Sequence, residues 1–295
     1  MIESKTLSSR FVNGIIVILM GGIAFSCIAP IINTLAISFS NAGMAQAGFV
    51  SLWPIGFTFE AYAKIVADRL FLNSFVISVQ RVIVGGSLNM VMTILMAYPL
   101  SKNTKVFRAR TVYMTIMVFT MLFSGGIIPW YMVVRQLGLI NSFWALVLPG
   151  AVPVFNVIML MNFFRGVPKE IEEAAIVDGA TPMQILLKIF LPISLPALAT
   201  IGLFSIVGHW NSFMDGLILM NSANKYPLQT YIQQFVVNID ITKVRTPEEL
   251  KELVKISGKT LNAAKIFIAM VPILIVYPFL QRYFVTGLVL GSVKE

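Results

Sequence analysis

Residues 165–196 read RGVPKEIEEAAIVDGATPMQILLKIFLPISLP, a polar, proline-punctuated insert between two strongly apolar segments. Local rules build it. Pro168 fits the first turn of a helix, and Glu170, Glu172 and Glu173 favour the positive N-terminal end of that helix. Gly179 permits the left-handed turn that ends it. Thr181 then caps a second short helix, with Pro182 at its first position and Gln184 closing a capping box. Pro192 and Pro196 mark the start of the next apolar segment. Two short helices should therefore meet around a glycine corner, with Ala174 and Ala175 leaving room for a partner to approach. An interfacial helix pair that only anchors its neighbours would share these local features.

Outward from this insert, the chain is made for lipid. Of 295 residues, 57% are hydrophobic and 12% charged, so charge is far too sparse for an ordinary soluble protein. No lysine, arginine, aspartate or glutamate occurs between Arg10 and Glu60, between Arg110 and Arg135, or between Arg135 and Arg165. A bilayer core needs ~20 apolar residues per helix, and runs of this length supply them. The net charge of +9 fits basic loops facing anionic lipid better than a nucleic-acid surface, so lipid is the expected contact and nucleic acid is not. One cysteine and one histidine leave no intrachain disulfide and no Cys/His metal cluster. Cys27 sits inside a continuing apolar run and reads as a membrane cysteine rather than a lipid attachment point.

The expected fold class is an all-α integral membrane protein with six transmembrane helices, near 12–39, 72–100, 112–134, 144–164, 193–220 and 262–285. The first is read as an uncleaved span, and Thr58 to Leu70 as an amphipathic surface helix. Lys102, Lys105, Arg108 and Arg110 crowd one short loop, whereas the loop after the third span carries only Arg135. Short basic loops stay in the cytoplasm, which puts both termini and residues 165–192 on that side. The long loop 221–261, with six basic residues, then lies outside; Thr246, Pro247 and Glu249 start a capped helix within it.

Within the opening stretch, Glu173-Ala174-Ala175, three residues, Gly179, nine residues and Ile189-Phe190-Leu191-Pro192 resembles the EAA loop of ABC-importer permeases. The likeness extends from about Phe57 to Glu295, through Asn73-Ser74-Phe75, Ala97-Tyr98-Pro99-Leu100, His209-Trp210-Asn211-Ser212-Phe213, Tyr277-Pro278-Phe279 and Val293-Lys294-Glu295. These stretches look like the carbohydrate-uptake branch, similar to the second permease subunit of the maltose importer. The resemblance implies a MetI-like, type I importer fold in a bacterial cytoplasmic membrane, as a single transmembrane domain over 1–295. Its parts are a first span and outer helix in 1–69, a permease core in 70–290 and the ATPase-docking loop in 165–192. It also implies a second homologous permease, two ABC ATPase subunits and an extracytoplasmic solute-binding protein as partners. Carried over by position, Glu173, Ala174, Ala175, Asp178 and Gly179 form the docking elbow, and the tail from about Gly287 meets the ATPase pair. The chain itself is expected to bind no cofactor, with ATP and magnesium in the partner ATPase. Ser257-Gly258-Lys259-Thr260 mimics the end of a phosphate loop, but Leu253 stands where its first glycine belongs.

Polar groups inside spans are costly against lipid and mark a pathway or a helix contact. The candidates are Arg81 and Asn89 in the second span, and His209, Trp210, Asn211 and Asp215 in the fifth, where Asn211 and Asp215 would share a helical face. Trp and Asn together suit sugar recognition. Structural hydrogen bonding between helices would use the same residue types. An ion-coupled secondary sugar transporter is the alternative; only His209 and Asp215 could relay protons for it, and the docking loop would then have no purpose. The reading is a permease for a sugar, with the 209–215 stretch pointing to oligosaccharides of complex polysaccharides.

Overall fold

The computed structural model describes residues 7–237 and 258–292, all in helices, turns and connecting segments. The elements are α1 (Leu7–Ser38), α2 (Ala42–Gln46), α3 (Glu60–Ala67), α4 (Arg69–Ser101), α5 (Arg110–Leu122) and α6 (Ile127–Gln136). Two 3-10 turns, Phe143–Leu146 and Leu148–Gly150, lead to α7 (Val154–Arg165), α8 (Lys169–Val177) and α9 (Pro182–Ile185). A π-helical stretch at Leu186–Phe190 joins α9 to α10 (Leu191–Ile193), followed by α11 (Leu195–Asn211), α12 (Met214–Leu219), α13 (Leu228–Ile232) and α14 (Lys259–Ser292). The capped helix expected at Thr246–Glu249 and the Val293-Lys294-Glu295 ending lie outside the described residues.

Among the described residues, Phe11–Ser38, Arg69–Ser101 and Lys259–Pro278 are single helices long and apolar enough to cross a membrane. Three bent helix pairs raise the number to six if each is one span. The expected third span at 112–134 is therefore corrected: α5 and α6 meet at 119° across Phe123–Gly126. Gly126 takes φ 84°, a conformation side chains resist, and Pro129 lies in the first turn of α6, where its missing N–H costs nothing. The fourth is bent by 44°, with Pro153 ahead of α7. The fifth also differs, since the run Pro182–Ile193 meets α11 at 83° and α11 stops at Asn211, short of 220. The expected surface helix is shorter too, ending at Ala67.

The chain divides into two compact units, one of residues up to Arg69 with 234–271, the other Leu70–Gln233 with the residues from Pro272. In the first, Phe39 stacks on Phe57 and Tyr62, and Tyr62 shares a 2.8 Å hydrogen bond with Ser38. There the fully buried Lys265 donates to Asp68 at 2.8 Å. In the second unit, α4 buries Ser74, Ser78, Arg81, Gly85, Asn89 and Thr93, spaced three or four apart, while Leu72, Val76, Ile83 and Val91 are exposed. This inverts a soluble amphipathic helix: with lipid as solvent, small and polar residues turn toward protein. Leu160, Phe164, Ile185, Phe190 and Ile201 form the main core of this unit, at the junction of α7, the α9–α10 run and α11.

Candidate functional site: a docking elbow and a polar cavity

The elbow forms as its local sequence dictates. Pro168 stands at the N-cap of α8, with Glu170 and Glu172 in the first turn. Gly179 has φ +79°, and the Ala180 amide closes back on the Ala175 carbonyl at 2.9 Å. Thr181 and Gln184 form a full capping box, the Thr181 amide donating to Gln184 Oε1 at 2.8 Å, with Pro182 at the first turn of α9. No residue of α8 is buried. Glu173, Ala174, Asp178 and Gly179 are exposed, while Ala175 is half-buried and packs on the unit's own core. Of the two alanines expected to admit a partner, Ala174 lies open and Ala175 faces the chain's own core. Ile176 and Val177 add exposed apolar surface, Val177 at 86%.

The exposed helix pair is braced by residues that in the sequence stand only as loop charges. Lys102, after the end of α4, donates to Glu172 of α8 at 2.5 Å and lies 4.1 Å and 4.3 Å from the ring centres of Tyr98 and Phe190. Arg110 Nε caps the end of the same helix by donating to the Leu100 carbonyl at 2.8 Å, a favourable place for a cation. Lys105 and Arg108 remain exposed.

The α9–α10 run leads through Ser194 into α11, and the far end of α11 borders a cavity of about 440 Å³. Arg81, Asn89, His209 and Asp215 line it, as do Asn156 and Ser212. Arg81 forms an ion pair with Asp215, its Nη1 donating to Oδ1 at 3.2 Å and its Nη2 to Oδ2. Asp215 Oδ1 also accepts from Ser212 Oγ and the Gly216 amide, each at 2.9 Å. The side chains are 4% and 17% exposed, so Arg81 is the more deeply buried member of the pair. His209 Nε2 and Asn89 Oδ1 share a hydrogen bond of 2.7 Å, and Asn89 Nδ2 donates to the Gly150 carbonyl at 2.6 Å. Asn156 Nδ2 donates to Ser205 Oγ at 3.4 Å.

Two sequence candidates stand apart from this cavity. Trp210 is buried, with its ring edge-on to Phe75 at 5.7 Å. Asn211 is exposed and is not among the cavity's lining residues. The shared helical face expected for Asn211 and Asp215 does not exist. The helix ends at Asn211, Ser212 is extended (φ −70°, ψ 127°), and Asp215 belongs to α12. The sequence reading missed Asn156, Ser205 and Ser212, and it missed Gly85, which the His209 ring covers. A Cβ there would lie 2.6 Å from His209 Cε1. The Gly85-Gly86 pair inside an apolar span was the available signal.

The class of an α-helical membrane core with an exposed, braced elbow comes from the comparisons. Residues 78–289 match the family described as binding-protein-dependent transport system inner membrane component, and the chain belongs to that family. It is 38% identical over 276 residues to the polygalacturonan/rhamnogalacturonan transport system permease protein YtcP of Bacillus subtilis (strain 168), covering 92% of this chain and 94% of the relative. Protein LplC of the same organism is 38% identical, covering 94% and 93%. Among solved structures, a bacterial ABC transporter involved in the import of the acidic polysaccharide alginate has a chain that superposes with a TM-score of 0.87 at 32% identity, covering 95% of this chain and 99% of that one. The protein is a permease subunit of an ABC importer with the MetI-like fold, a transport component rather than an enzyme. Nothing in these comparisons supports an ion-coupled transporter.

Proposed function

We propose that this chain moves an oligosaccharide of a complex polysaccharide inward across a bacterial cytoplasmic membrane, driven by ATP hydrolysis in partner subunits. The observation that carries the reading is the continuity from elbow to cavity: the exposed corner at Gly179 leads through α9, α10 and α11 to His209. Closure of two ATPases on the elbow, through Glu173, Ala174, Asp178 and Gly179 with Ala175 beneath, would swing α11 and so reopen the cavity to the other side. Arg81, Asn89, His209 and Asp215 line the route in this reading, and a second permease completes it. ATP and magnesium belong to the ATPase pair, and an extracytoplasmic binding protein delivers the sugar. The oligosaccharide class is supported by the substrates in the names of YtcP and of the arabinooligosaccharide permease AraQ of Halalkalibacterium halodurans, 26% identical.

This mechanism requires the elbow inside the cell, with both termini. Single cysteines at Lys105 and Gln136, both exposed, in a Cys27→Ser background report the side directly. A membrane-impermeant thiol reagent applied to intact cells is expected to label Gln136→Cys and spare Lys105→Cys. Labelling of Lys105→Cys alone would reverse the topology and remove the elbow from reach of any ATPase.

A further inference from the structure

We infer that Arg81 is the counter-charge for a carboxylate on the travelling sugar, and that Asp215 is the internal anion that holds its place between substrates. The inference rests on the proposed transport route and narrows the substrate class to acidic oligosaccharides. A lone guanidinium at membrane depth is costly, so a cation needed only during transit must be neutralised at rest. Asp215 does this from the end of the group, engaging Nη1 and Nη2. The side edge is left over: Arg81 is 3% exposed, yet its Nε is buried with no hydrogen-bond partner. A guanidinium can hold carboxylates on both edges, each through two parallel N–H bonds.

Asp215 is built to be displaced. Its Oδ1 keeps the Ser212 hydroxyl and the Gly216 amide whether or not Arg81 is present, so letting go does not strand it. It is also the more exposed of the pair, and so the one with more room to move. Asn156 also lines the cavity, with an amide of the kind that bonds sugar hydroxyls. Competition between two carboxylates keeps the site weak, as a transit site must be if substrate is to leave it.

The alternative role for the pair is a staple holding α4 to the break after α11, and the two roles order the variants oppositely. If Arg81 serves the substrate, Asp215→Asn frees it. Uptake of a galacturonate tetrasaccharide by the complete complex in proteoliposomes is then retained, with KM lowered severalfold. Arg81→Gln/Asp215→Asn, which leaves no charge behind, lowers uptake about tenfold or more, and Arg81→Lys falls between. If the pair is a staple, Asp215→Asn strands a buried cation and is the worse variant, while the uncharged double recovers. That order, or failure of both variants to co-purify with the ATPase, would overturn the inference. A wild-type complex stimulated by a neutral oligosaccharide on its binding protein but not by the galacturonide would refute the acidic class and leave the importer intact.

Discussion

Gly179→Val is expected to cut sugar uptake at least tenfold while leaving the chain in the membrane. The reason lies in the backbone, not in crowding. Gly179 has φ +79°, and nothing lies within 4 Å of a Cβ placed there, so a side chain would fit in space but not in conformation. The left-handed region costs a non-glycine residue about 1–2 kcal/mol, more for a β-branched one. The chain can escape by unwinding the α8 end, which breaks the Ala180–Ala175 bond and tilts α8 away from the brace at Lys102. The measurement is uptake alongside the amount of ATPase that co-purifies. Gly179→Asn, which tolerates the left-handed region better, should retain much of both. Charge reversal at exposed Glu173 should weaken ATPase capture without touching the fold. Normal uptake by Gly179→Val and the Glu173 variant at wild-type abundance would refute docking through this corner.

Gly85→Ala should be comparably severe for the opposite reason: the conformation is an ordinary helix, but the space is taken. The new Cβ would stand 2.6, 2.7 and 3.0 Å from Cε1, Nε2 and Nδ1 of His209. A rigid ring held to Asn89 at 2.7 Å has little room to give. Overpacking of this kind costs about 1–3 kcal/mol. The ring must shift, and the Asn89–His209 bond that ties α4 to α11 is lost with it. Uptake and the thermal unfolding midpoint of the purified complex should both fall. Adding His209→Ala to Gly85→Ala removes the clash and should restore the midpoint more than the uptake. An unchanged midpoint in Gly85→Ala would show that α4 and α11 separate easily here.

The elbow was legible from its residues because everything that shapes it is local. The capping box spans four residues, Thr181 to Gln184, the glycine corner one, and both stand where the sequence placed them. The brace was not legible. Lys102 and Glu172 are 70 residues apart, and a basic loop residue carries no mark of which acid it will meet. Helix breaks were legible only in part. Ser124-Gly125-Gly126 lies inside an apolar run long enough for one span, and hydropathy cannot report a 119° turn.

What the sequence by itself determined is the class and the shape of the elbow. Charge-free runs of this length are stable only in lipid, and the elbow motif is written in contiguous residues whose backbone preferences need no partner. What only the tertiary structure decided is the cavity. Its ion pair joins residues 134 positions apart and its histidine bond joins residues 120 apart. Periodicity placed Asn211 and Asp215 on one face, and a break at Ser212 separated them, leaving Asp215 beside Arg81 and Asn211 exposed. The physical reason is that a buried charge in a membrane protein takes its position from the one group that can neutralise it, and the local sequence does not say where that group will be.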